Sequence, residues 1–425
     1  MSSASPRAIP ADLLPCSDHA MKKWVEIALG IITGIGGFLE VGSIATSAQA
    51  GSEFRYQLTW ALALGVISLA FLMEMTGRLA AVSKRTYVDL LRDHFGMRFF
   101  LVALIAVFVV SFMVLTAEID GVSTALQMAT GIAFQWWAIP VALVGWLLLW
   151  RGTFGIVEQG TAMLGLVAIS FAVGAVKAHP DWGALGGAFV PSRPTENPAR
   201  YWYLAVSILG ASISPYLYLF YSAGAVEDGW DREYLSVNRV TAGLGNLFGG
   251  TLALAVIGTA ALVFAPAHVH IDRFEQIGSL FVSPLGRAGF WLFVATLCVT
   301  CFGATLEIAL SIAYLIAQGF GWEWSEDLRP GRDSRFSVTY TISIVVAAIP
   351  AALGISALSL TNMSMVLSAA SLPFTVIPLI ALMNDGKVMG RHCNGWISNI
   401  ALICISVLSI VLFFVSLPLQ IKGGG

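Results

Sequence analysis

The apolar residues of this chain fall into long runs separated by short polar stretches. A helix needs about 20 mostly apolar residues to cross the hydrocarbon of a bilayer. By that measure the sequence predicts spans at 24–49, 56–77, 99–127, 133–150, 155–177, 201–223, 240–264, 287–318, 335–355, 358–383 and 394–418. The predicted fold class is therefore an all-α polytopic membrane protein of about eleven transmembrane helices. The longest stretches between spans, 178–200 and 265–286, are too small to be domains, so function is expected to sit within the membrane.

The basic residues orient the spans. With the N-terminus inside, sixteen of the 23 Lys and Arg residues fall on the cytoplasmic side, which satisfies the positive-inside bias. An odd number of spans then puts the C-terminus outside. The expected organisation is a cytoplasmic tail 1–23, a five-helix group 24–177, an outer loop 178–200, a second five-helix group 201–383 and an eleventh helix 394–418, in the plasma (inner) membrane. The first twenty residues are mixed and polar, so insertion is expected to be directed by the first span and not by a cleaved leader.

Composition agrees with this picture. Of 425 residues, 57% are hydrophobic and only 11% charged, against roughly 25% charged in a soluble domain; the mean hydropathy is +0.80. A net charge of −2 leaves no electrostatic case for nucleic acid. The five cysteines suggest neither a disulfide framework nor a zinc site: Cys298 and Cys301 stand one turn apart in an apolar run with no second pair. Nothing resembles a nucleophile with its base, so an enzyme is not expected.

A carboxylate inside a span is costly unless it is paired or faces water. Glu40, Glu74, Glu118, Asp120, Glu158 and Glu307 all lie within predicted spans, with no Lys or Arg at mid-membrane depth. That imbalance suits a cation or proton path. Glu74 is expected to pair with Arg78 four residues on, and Glu158 to cap its helix. Glu118 and Asp120 are two apart, roughly 200° around the helix, so they point to different faces. Glu307 is deep in the eighth span, either bonded to a neighbouring helix or on a proton path.

Glu40 differs because its helix is poorly able to continue through it. Gly30–Ser43 reads GIITGIGGFLEVGS, five glycines beside a carboxylate, and each glycine weakens a helix by about 1 kcal/mol relative to alanine. Close packing would explain the glycines but not the acid, so an unwound site is expected here. A second break is expected in the sixth span, where Gly210-Ala211-Ser212-Ile213-Ser214-Pro215-Tyr216 puts proline in mid-helix. These are the first helices of two consecutive five-helix groups. Interrupted helices in corresponding positions point to the midplane site of an inverted-repeat transporter.

At these helices the chain resembles the natural-resistance-associated macrophage protein (NRAMP) family of divalent-metal transporters. Glu40-Val41-Gly42-Ser43-Ile44-Ala45-Thr46 resembles the family's Asp-Pro-Gly-Asn-Ile-Ala-Thr motif, and Gln49-Ala50-Gly51 and Trp60 fit its continuation. Glu74 and Arg78-Leu79 resemble the end of its second helix, and Gly210 to Ser222 the segment carrying Met-Pro-His-Asn. Leu372-Pro373-Phe374, Pro378, Met389-Gly390 and Asn394 resemble the end of its tenth helix and the loop beyond.

The resemblance implies a LeuT-type fold of 5+5 inverted repeats plus one helix. It also implies transport of a divalent metal ion, coupled to protons in most of the family, with no cofactor beyond the transported ion. It places the cation on the side chains of Glu40, Ser43 and Ser214 and the carbonyls of Gly37 and Ala211, and a proton-linked acid at Glu118. Asp120 and Glu307 complete the expected proton path. The family's Asp, Pro and Asn are here Glu40, Val41 and Ser43; its sixth-helix Met is Ser214, and its two histidines are Tyr216 and Tyr221. Oxygen donors suit Mg, Ca and Mn better than softer metals, so Mg²⁺ or Mn²⁺ is the expected cargo. Met365 aligns with a tenth-helix glutamine of the family and is read as packing. The alternative reading keeps the fold but carries an amino acid or another small organic solute.

Overall fold

A computed structural model describes residues 40–152, 169–194, 196–325 and 334–423. Long apolar runs leave their backbone groups no water to bond, so each run closes its hydrogen bonds within a helix. In chain order the helices are α1 (Val41–Phe54), α2 (Thr59–Ser83), α3 (Tyr87–Thr130), α4 (Gln135–Trp150), α5 (Ile169–Lys177), α6 (Trp182–Gly187), α7 (Pro198–Ser212) and α8 (Pro215–Glu227). They continue as α9 (Leu235–Val263), α10 (Phe274–Ser279), α11 (Val282–Phe320), α12 (Ser334–Ala352), α13 (Ala357–Ser371), α14 (Pro373–Asn384), α15 (Gly386–Met389) and α16 (Trp396–Gly423).

Each predicted span has a helical counterpart among the described residues, and eight are long and apolar enough to cross a membrane as they stand. The first and fifth spans are described only from residues 40 and 169 onward. Several helices begin before their predicted starts, and in two of them a glycine marks the overrun. Gly96 (φ 81°) breaks α3 near the predicted start at 99, and Gly286 (φ 64°) breaks α11 next to the predicted start at 287. Both glycines adopt the positive φ that other residues resist, so the preceding turns leave the direction of the span.

Helix packing carries a symmetry that the residue pattern conceals. α1, the first span, packs on α9, the seventh; α8, in the sixth, packs on α2, the second. Exchanging the first five spans with the next five turns one pairing into the other. The same exchange maps the α3–α11 interface and the α4–α12 interface onto themselves. The outer faces of the bundle expose Ile105, Ile139, Leu143, Ile342, Val345 and Ile403, as a lipid-facing surface requires. Exposed Trp136 and Trp396 stand near helix starts, where interfacial aromatics collect.

α13 wedges between the two interrupted helices. A Cβ on Gly210 would lie 1.9 Å from the backbone oxygen of Met365, and one on Gly42 would lie 2.6 Å from that residue's Sδ. Gly210→Ala should therefore destabilise the protein by about 1–3 kcal/mol through overpacking against backbone that cannot yield. Gly243→Ala, where nothing lies within 4 Å of the new methyl, should be neutral or stabilising by up to about 1 kcal/mol. Thermal unfolding of the two purified variants in detergent checks the contrast.

Candidate functional site

The described part of the first span begins at Glu40, immediately before α1. The Glu40 backbone is extended (φ −98°, ψ 174°), and α1 starts only at Val41 with no side-chain cap of its own. The N–H groups of a helix's first turn need acceptors, and one comes from another span. The Val41 N–H donates to Glu118 Oε1 of α3 at 3.0 Å. Within the first turn of α1 itself, the Glu40 carbonyl accepts from Ile44 N–H at 3.1 Å and from the Ser43 hydroxyl at 3.0 Å. Residues before 40, and with them Gly37 and the glycines from Gly30 on, lie outside the described residues, as does Glu158.

The sixth span is broken at Ile213–Ser214, between α7 and α8. Pro215 opens α8, a position where its missing N–H costs that helix nothing. The cost falls on Ala211, whose carbonyl has no N–H four residues on to accept from. The Gly210 carbonyl is met from α13, where the Ser368 hydroxyl donates to it at 3.0 Å and lies 3.4 Å from Ser214 Oγ.

One hydrogen bond joins the two breaks. The Tyr216 hydroxyl, in the first turn of α8, donates to Glu40 Oε2 at 2.6 Å. Glu40 and Ser214 are 0% exposed, Tyr216 1% and Ser43 3%. Glu40 Oε1 and Glu118 Oε2 have no hydrogen-bond partner among the described residues. Glu307, on α11, is within electrostatic reach of both Glu118 and Tyr216. Three acids from three spans thus converge on one buried locus, and the one buried basic residue among the described residues, Arg78, is not among them.

Asp120 stands apart from this group. It is fully buried with both carboxyl oxygens unpartnered among the described residues, and the charged group nearest in effect is Glu275, beyond the end of α3. The expected divergence of Glu118 and Asp120 is therefore what the helix shows. Glu74 pairs with Arg78 at 2.9 Å, as expected. That arginine also donates to the His392 carbonyl and to Asn394 Oδ1, both at 2.7 Å, tying α2 to the loop before α16. Met365 is fully buried with its sulfur against Gly42, the packing role expected of it. Two participants were not anticipated as such: Tyr216 was noted only as a departure from histidine, and Ser368 carries no local signal at all.

The pattern characterised as natural resistance-associated macrophage protein-like matches residues 30–417 of the chain. The chain belongs to this family. Over 391 residues it is 24% identical to the divalent metal cation transporter MntH of Deinococcus radiodurans, covering 87% of this chain and 86% of that protein. The crystal structure of a mutant Eremococcus coleocola manganese transporter superposes with a TM-score of 0.78 at 18% identity, over 97% of this chain and 90% of that one. A nucleobase–cation symport-1 family transporter, closed around bromovinylhydantoin, superposes at 0.59 with 14% identity, over 93% and 91% of the two chains. Both superpositions show the shared LeuT-type fold.

Glu118 holds α1 in place through an acceptor and not through charge alone. Glu118→Ala, which removes that acceptor, should cost about 1–2 kcal/mol, the usual loss for a helix cap. Glu118→Gln keeps a carbonyl oxygen for the Val41 N–H and should cost less than half as much. Comparing the unfolding temperatures of the two variants checks the assignment.

Proposed function

We propose that this chain is a secondary transporter of divalent metal cations, working by alternating access, with the cation held where the breaks of the first and sixth spans meet. The observation that carries this reading is Glu40 itself. It is a fully buried carboxylate immediately before α1, with one oxygen held by Tyr216 and the other unpartnered among the described residues. Such a group at membrane depth is expensive unless a positive partner visits it.

The cation would bind Glu40 Oε1, the Ser43 and Ser214 hydroxyls and the Ala211 carbonyl that Pro215 strands, with the Gly37 carbonyl completing the set. The Ser214 oxygen keeps a lone pair beyond the contact from Ser368. Glu118 and Glu307, beside this locus, are the acids through which a coupled proton would pass; Asp120 would belong to a separate branch toward Glu275. The proposed orientation keeps the N-terminus cytoplasmic and the C-terminus outside, in the plasma (inner) membrane. Organic solutes fit this locus less well, because an amino acid's carboxylate would be carried into a group of acids with no basic partner. The membership of the family and the MntH likeness support metal over organic cargo, and a transporter over an enzyme.

Purified protein in liposomes, loaded externally with Mn²⁺ or Mg²⁺, tests the reading. Removing one charged contact of about 1.4 kcal/mol or more should lower ion uptake by at least about tenfold in Glu40→Ala. Equal influx of both ions in wild type and variant would end the role given to Glu40.

A further inference from the structure

Resting on the transport reading above, we propose that the Tyr216 hydroxyl takes the cation's place on Glu40 in the unloaded carrier, tying the two broken helices together until a metal ion displaces it.

The bond has the attributes of a substitute for a ligand. It is 2.6 Å long, in the range of charge-assisted O–H···O⁻ bonds. It links residues 176 positions apart, one immediately before α1 and the other in the first turn of α8. α1 and α8 are thereby fixed to each other at the points where their hydrogen-bond ladders begin. Both groups are out of water, and a carboxylate so placed needs some positive or donor partner at every stage of a transport cycle. A bound dication supplies it in the loaded carrier. In the empty one, the phenolic proton does.

The geometry makes the phenol a competitor and not a ligand. Its proton points at Oε2, so its positive end addresses the same negative charge that a dication would use. A dication seated on the unpartnered Oε1 draws on that charge and repels that proton. Binding therefore weakens the Tyr216–Glu40 bond, and with it the tie between the first and sixth spans. The coupling between filling the site and releasing the helices follows from a single shared carboxylate.

The two roles predict opposite signs for Tyr216→Phe, which keeps the ring and removes only the hydroxyl. If the hydroxyl were a ligand, Mn²⁺ would bind more weakly. As a competitor its loss should tighten Mn²⁺ binding by roughly tenfold, the scale of one hydrogen bond to a charged group. Net uptake into liposomes should slow, since the empty carrier must return with Glu40 bare, while Mn²⁺–Mn²⁺ exchange, which needs no empty return, should persist. Unchanged or weaker binding in the variant, or equal slowing of uptake and exchange, overturns the proposal and leaves the transport reading standing. A wild type that neither binds nor moves Mn²⁺ or Mg²⁺ removes both. Should the variant not fold, the wild type's near-UV spectrum decides: saturating Mg²⁺ should give a tyrosine difference signal, and its absence overturns the displacement.

Discussion

A helix interrupted in hydrocarbon has to find partners for the N–H and C=O groups it releases, and the arrangement around Glu40 and Pro215 follows from that requirement. Glu118 reaches across from α3 to accept the Val41 N–H. The Ser43 hydroxyl turns back to the Glu40 carbonyl, and Ser368 reaches from α13 to the Gly210 carbonyl. Two further spans, α3 and α13, thus supply partners to these helix ends. The close approach of the α13 backbone then excludes a side chain at Gly210, while at Gly42 it is the flexible end of Met365 that would have to give way.

The ends of the interrupted helices are held by ion pairs of a different kind. Arg200, at the start of α7, grips Glu53 near the end of α1 with its Nη2 at 2.8 Å, and its guanidinium lies over the Tyr203 ring. At the far end of α2, Arg78 joins Glu74 to the His392 carbonyl and Asn394. Glu74 is joined in turn to α9, where Asn238 donates to its carbonyl and accepts from Tyr221 of α8. Such planar, multidentate arginine contacts fix orientation as well as distance. Each set ties together elements far apart in the chain. The charged side chains in these sets keep a little exposure, 10% and 15% for Arg78 and Glu74 and 16% and 9% for Arg200 and Glu53, whereas Tyr216–Glu40 is fully buried. The central tie is therefore the one that cannot be opened without a substitute.

What the sequence disclosed was mostly local. The spans were legible because a bilayer demands long apolar runs, and the break in the sixth because proline withdraws an N–H wherever it stands. Glu40 stood out through the glycines next to it. The extra turns before Gly96 and Gly286 were not legible, since a short helix that mixes apolar and polar residues gives no 20-residue apolar run. The bond from Tyr216 to Glu40 spans 176 residues, and no spacing rule reaches that far. Ser368 is one serine among many until α13 is seen against Gly210. The repeat was inferred from the positions of the breaks; its evidence is the exchange of the α1–α9 and α8–α2 packings, which constrains contacts and not residue identities.

The balance of charge at the site bears on what it can carry. Glu40, Glu118 and Glu307 come from three different spans, and no buried arginine or lysine among the described residues accompanies them. Were all three ionised and unaccompanied, their repulsion in a low-dielectric interior would be prohibitive. Hydrogen bonds from Tyr216 and the Val41 N–H offset part of that cost but add no net charge. The remainder has to be met by protons or by a cation that comes and goes. A dication meets more of it than a monovalent ion at the same distance, and an anion would add to it. In the proposed site, then, the sum of the acids would set the direction of selectivity, while Glu40, at the start of α1 with an oxygen unpartnered among the described residues, would set where the charge is met.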